Sequence, residues 1–230
     1  MICLMVPQAC RSYLGVFLLG AGVILGSGCK TTQVPEIIIG PDYVPKNIYR
    51  ASAQLPLGVR RVVVLPLTYN LRDTLSIHGH AILEPVLRQE LTKTGKFELE
   101  FAAPEQIKLW TGKESWKGDE VFPPALLKEV KEKTGAEAIL FNHLEPYSPY
   151  PPLVVGWKLK LVRLDSNQTI WSAEEVYDAS MESVSNSARR YAKAHVKPNP
   201  VLEDTRSILI QPARFGQFTL SSLLNTLPDR

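Results

Sequence analysis

The chain has 230 residues, 45% of them apolar, with 26 Lys and Arg against 23 Asp and Glu for a formal net charge of +3. That balance argues against nucleic acid or a strongly anionic partner. The apolar content suits one substantial core rather than a disordered chain.

The first predicted element is the apolar run from Tyr13 to Leu25 (YLGVFLLGAGVIL). It is shorter than the about 20 residues a membrane span needs and has the length of a secretory-signal core. It closes in Gly26-Ser27-Gly28-Cys29, and Cys3, Cys10 and Cys29 are the only cysteines of the chain. These residues resemble the lipobox of bacterial lipoproteins, in which the cysteine is acylated and becomes the first residue. Gly26 stands where that pattern has a large aliphatic residue, and Leu25 lies one position earlier. An ordinary signal cut near Gly28 and an uncleaved anchor are the other two readings. The lipoprotein is preferred because a secreted domain with one unpaired thiol at its N-terminus is unusual. The resemblance implies a signal peptide over 1–28, lipidation (palmitate) at Cys29, and a lipid-anchored place in the cell envelope. It leaves 202 residues (230 less the 28 before Cys29) with 25 bases, since only Arg11 is lost, and a net charge of +2. The mature chain then has no disulfide, in a compartment that permits them. Lys30 after the cysteine implies, by the lipoprotein sorting rule, the periplasmic face of the outer membrane.

Residues 29–58 read as a lipidated N-terminus leading into an extended tether or arm. Pro35, Pro41, Pro45 and Pro56 favour extended conformations. Ile37, Ile38, Ile39 and Tyr43 are too apolar for a free linker, so part of the arm is expected on the domain. A single domain then spans 59–230. Val62 to Leu67 is a β-branched run expected to be a strand buried on both faces. Asn70 to Gly79 reads as a polar loop. Ala81 to Thr94 predicts a helix with Leu83, Val86, Leu87 and Leu91 on one face, Pro85 in its first turn, and Gly95 beyond its end. Phe97 to Phe101 alternates as a strand. Ala103 to Trp110 predicts a short helix, Thr111 to Val121 a charged loop, and Pro123-Pro124 opens another helix that Gly135 closes.

Ala136 to Leu144 is a second buried strand, and Glu145 to Pro152 reads as a stiff Pro/Tyr loop. Val155, Trp157, Leu159 and Leu161 alternate with Gly156, Lys158, Lys160 and Val162, a strand with one wetter face. Asp165 to Gln168 is turn chemistry, and Thr169 to Tyr177 returns as the second strand of a hairpin. Trp157 and Trp171 are expected in the core. Met181 to His195 predicts a surface helix and Pro212 to Leu227 a last amphipathic one, striped by Phe215, Phe218 or Thr219, Leu223 and Leu227. The order predicts an α/β fold, a mixed sheet of about five strands with helices packed on it.

Arg61 to Leu67, Leu91 to Phe97, Thr134 to Leu140 and the hairpin Leu159 to Ser172 together resemble a group of periplasmic lipoprotein domains. That group includes the curli secretion-channel lipoprotein (CsgG), the penicillin-binding-protein activator LpoB, and the amino-terminal domain of TolB. The resemblance covers about Arg61 to Ala179. It implies an α/β sandwich and a role in envelope assembly or binding, without an active site.

The sequence carries no G-x-S-x-G, phosphate loop, G-x-G-x-x-G or H-E-x-x-H. No enzyme activity and no cofactor are expected. His78 and His80 stand two apart, yet no spacing supplies the further ligands a structural metal wants, so no metal is expected. His143 reads as a hydrogen-bonded core histidine. Candidate binding residues are Tyr147 and Tyr150 in the Pro/Tyr loop, Trp110 and Trp116 around the charged loop, and Arg189 and Arg190 on a basic helix face. The expected partners are the membrane through the lipid anchor, an envelope protein or peptidoglycan, and no nucleic acid. The expected function is a non-enzymatic binding or scaffold component of envelope assembly; an oligomeric secretion-channel subunit is the alternative. Neither Thr111–Val121 nor Glu145–Pro152 reads as the long alternating hairpin a membrane barrel needs.

Overall fold

The computed structural model describes residues 37–120, 124–195 and 205–230. Seven strands form one mixed sheet: β1 (Ile48–Arg50), β2 (Arg61–Val64), β3 (Thr68–Tyr69), β4 (Glu98–Phe101), β5 (Ala138–Ser148), β6 (Val154–Arg163) and β7 (Thr169–Asp178). Their order is β1-β7-β6-β5-β2-β4, with β3 pairing β5 beyond the end of β2. β2 runs parallel to β4 and β5, and the β5-β6-β7-β1 half is antiparallel. The two strands beyond the expected five are β1, which comes from the arm, and β3, a two-residue resumption after Pro66.

The helices are α1 (Thr74–Lys93), α2 (Pro104–Thr111), α3 (Pro124–Thr134), α4 (Glu182–His195) and α5 (Pro212–Leu224), with a 3₁₀ turn at Thr205–Ile210. The alternation of β2 assigns them to two layers. Val62 and Val64 join Leu83, Leu87, Trp157, Trp171, Val184 and Phe215 in one core, beneath α1, α4 and α5. Val63 and Leu65 face the other way, toward Ile107, Leu127, Val130, Ile139 and Phe141 beneath α2 and α3. A strand covered on both faces has no use for polar residues, which is why Val62–Leu65 reads as one apolar run.

The two indoles of the main core, Trp157 and Trp171, are tied to the C-terminal helix region. Trp157 Nε1 donates to Thr219 Oγ1 at 2.9 Å, and Trp171 Nε1 donates to Thr226 Oγ1 at 3.1 Å. The stripe expected on the last helix is buried, and Phe218 and Thr219 both face inward. Gly95 and Gly135 take the left-handed conformation that closes their helices, at φ +60° and +66°.

Two expectations are corrected here. Residues 70–79 are not all loop. α1 begins at Thr74 because Asp73 caps it, accepting from Leu75 N at 3.1 Å and Ser76 N at 3.2 Å. Pro85 therefore lies well inside the helix, on its exposed side, and withholds one N–H from the ladder. Gly79 is helical, and a β-carbon there would lie 2.6 Å from the Tyr147 ring. Correspondingly, Glu145 to Ser148 is not a loop but the end of β5, carried past an irregularity between Leu144 and Tyr147.

The arm is part of the fold from its first described residues. Arg190 donates to the carbonyls of Ile38 (3.0 Å) and Gly40 (2.8 Å) and pairs with Asp42. Asn186 Nδ2 donates to the Ile39 carbonyl at 3.1 Å, and Tyr43 N donates to Ser187 Oγ at 2.8 Å. The buried Glu175 carboxylate then accepts from Tyr43 OH and from the Lys46 and Asn47 amides. β1 follows at once, and the arm is then tied to the C-terminus, Leu55 N donating to Asp229 O at 2.7 Å and Asp229 N to Ala53 O at 3.0 Å. Residues 37 to 230 form one compact unit. No helix among the described residues is long and apolar enough to cross a membrane.

Candidate functional site

α2, α3 and the loop after α2 pack over β2, β5 and the margin of β6. Gly118 marks where the cover ends, in contact range of the Phe141 and Lys160 side chains, and the Lys160 ammonium donates to the Gly118 carbonyl at 2.9 Å. Beyond it the antiparallel half of the sheet lies open. Tyr49, Ser172 and Lys160 form one cross-strand row on this face, from β1 through β7 to β6. With Ala51, Gln168 and Thr169 they line an open cleft of about 600 Å³. One row on, Lys158 and Glu174 pair across the strands at 3.1 Å, and this bond raises the Lys158 pKa. Tyr49 is 53% exposed and Val176 44%.

The groups on this face suit contact with a ligand. It offers an aromatic ring, hydroxyls, an amide and cations at fixed strand spacing, the mixture that favours Tyr at interfaces. Rigid strands hold the groups in register, so a ligand would meet them in place rather than order them.

One other polar cluster deserves comparison with a catalytic triad. His143, 4% exposed, has Nδ1 at 2.9 Å from Thr68 Oγ1 and Nε2 at 3.0 Å from Glu145 Oε2. Thr68 Oγ1 also reaches the Asn142 carbonyl at 2.9 Å. The His143 hydrogen bond holds the Glu145 carboxyl below its ordinary pKa. A hydrolytic triad exposes its hydroxyl and buries its acid. Here Thr68 is 5% exposed while the Glu145 side chain is 47% exposed. The order is inverted, and the cluster pins β3 to β5.

The residues singled out from sequence do not converge. Tyr147 is buried against Gly79, and Trp116 is buried with its Nε1 donating to Thr111 Oγ1 at 2.9 Å. Neither offers a surface ring, because the strand and the loop that carry them fold onto the body. Trp110 is half-buried, and Tyr150 alone of the four stands exposed. Arg190 clasps the arm, and Arg189 reaches Thr205 Oγ1 at 3.4 Å. Cys29 lies outside the described residues. His78 and His80 are helical rather than extended; His80 contacts Tyr69 and pairs with Glu84 at 2.9 Å. No group of three metal-ligating side chains occurs among the described residues. The open face was half visible in the alternation of β6, which put Lys158 and Lys160 on a wet side. Tyr49 gave no signal, since its place depends on β1 joining β7.

The fold is thus a seven-stranded mixed α/β sheet, with helices on both faces and one half-face bare. No family model and no curated protein matches the chain. Among solved structures, the PelC dodecamer from Paraburkholderia phytofirmans is similar at 12% identity and a TM-score of 0.41, over 80% of this chain and 98% of that one. The hypothetical protein CT253 from Chlamydia trachomatis is similar at 15% and 0.41, over 70% and 93%. The LpoB C-terminal domain from Salmonella enterica is similar at 16% and 0.36, over 53% and 87%. Likenesses this remote say nothing of what the chain binds.

Proposed function

We propose that this chain is a lipid-anchored protein of the bacterial cell envelope that binds or scaffolds a partner and catalyses no reaction. The observation that carries the reading is Cys29, the last cysteine of the chain, set after an apolar run and small residues. In this reading 1–28 is the signal, 29–58 the lipidated N-terminus and arm, and 59–230 the body of the domain. Two acyl chains suffice for stable anchoring, at about 0.8 kcal/mol per buried CH₂. Lys30 after the cysteine supports an anchor on the periplasmic side of the outer membrane. The face around Tyr49, Lys160 and Ser172 supports binding as the task, with an envelope protein or peptidoglycan as the partner.

The test follows palmitate incorporation and membrane fractionation of the native chain and of Cys29→Ala in a diderm host. The expected result is a labelled, membrane-bound native protein and an unlabelled variant. An unlabelled, soluble native protein would overturn the anchor.

A further inference from the structure

The composition of residues 29–58 suggests a tether reaching about 100 Å, but the part of the arm held on α4 and Glu175, a strap over residues 37–47, removes most of that reach. Chain bound to α4 and β7 from Ile38 onward leaves eight peptide units between Cys29 and Ile37, or at most about 29 Å. We propose that the outer side of this strap, Ile37 and Ile39, rests on the bilayer surface that holds the anchor. The proposal depends on the reading of Cys29 as the point of attachment.

Three observations carry it. The strap alternates: Ile37 and Ile39 are 78% and 81% exposed while Ile38 between them turns toward the domain. Val44, 66% exposed, adds a third aliphatic side chain within eight residues. Scattered single apolar residues on a surface need no account, but a run of them at one end does. The strap is also fixed rather than adaptable, through Arg190, Asn186, Ser187 and Glu175. Finally, the patch lies at the described end nearest the proposed anchor, and the short link keeps it within reach of the headgroups. The covering occupant is therefore the membrane itself. The Tyr49 face is then presented by a domain held close to one membrane, which suits a partner in or near that same membrane.

The experiment uses the chain from Cys29 onward, in which Cys29 is the sole cysteine. It is coupled through that thiol to a maleimide lipid in phospholipid nanodiscs containing a gadolinium-chelating lipid. Ile and Leu methyl signals are compared with and without gadolinium. The expected result is a several-fold greater loss for Ile37 and Ile39 than for Leu109, which is exposed on α2 on the opposite side of the sheet. Equal losses, or greater loss at Leu109, would overturn the proposal. So would concentration-dependent dimers of uncoupled protein abolished by Ile37→Glu and Ile39→Glu, which would assign the patch to a second copy. Because the coupling is chemical, failure of cellular acylation at Cys29 would be seen separately, in the palmitate experiment.

Discussion

The two faces of the sheet are built on different terms. One is sealed across its width by α1, α4 and α5, with the strap and the C-terminus closing its margin, and it holds most of the large buried side chains. The other carries two short helices over half its area and leaves β6, β7 and β1 wet. Antiparallel strands tolerate this because their alternation makes one face apolar and the other polar, whereas the parallel strand β2, apolar on both faces, needs cover on both sides. Stability is therefore concentrated on the sealed face, and the open half-face is left with side chains that packing does not dictate.

The sharpest way to break that contrast is Phe215→Ala. Phe215 is fully buried between α5 and the sheet, and truncation should cost about 3–5 kcal/mol. An unchanged denaturant midpoint would mean that α5 is not part of the main core. On the thinner side, Leu127→Ala in α3 should cost about 2–3 kcal/mol in the same titration. A loss equal to that of Phe215→Ala would show that the thinner layer carries as much stability per side chain as the sealed one.

At the margin of the sealed face, Arg190→Ala removes two carbonyl contacts and the Asp42 pair, all of them partly exposed. It should cost about 1–2 kcal/mol and open residues 38–46 to limited proteolysis. Protection as in the native chain would show that Asn186, Ser187 and Glu175 hold the strap without Arg190. On the open face, Lys158→Ala breaks an exposed pair with Glu174 and should change stability by less than about 1 kcal/mol. A larger loss would mean that the open face carries structural weight.

The smallest effect belongs to Glu84 on α1. Its hydrogen bond from His80, then that from Arg88, holds its carboxyl below the ordinary value of 4.5. A depressed folded pKa means that the stabilisation is whole above the unfolded value and is lost as pH falls through the folded one. Solvent screening limits it to less than about 1 kcal/mol. The native chain should therefore lose slightly more stability than Glu84→Gln between pH 6 and pH 3, by urea midpoints. Equal losses would show that the His80–Glu84–Arg88 group contributes nothing.

The misread segments of the sequence share one physical cause. Gly79 and the two histidines beside it read as loop chemistry, and Tyr147 among prolines read as an exposed ring. They are two sides of the same contact, in which the Tyr147 ring packs on the bare backbone of α1. Neither residue type announces a partner 68 positions away. Pro85 compounded the error, because a proline inside a helix is expected at its first turn unless neighbouring packing sustains the helix around it.

What the sequence by itself determined were the features whose causes are local or periodic. The unbroken Val62–Leu65 stretch marked a doubly covered strand, the spacing of Phe215, Thr219 and Leu223 marked a buried helix face, and Gly95 and Gly135 marked helix ends. Only the tertiary structure decided which polar residues share a surface. Tyr49 meets Ser172 and Lys160 because β1 pairs with β7 more than a hundred residues on, and Arg190 meets the arm from about 150 residues away. Such meetings are fixed by the closure of the sheet and the direction of the chain, to which no single segment's propensity responds.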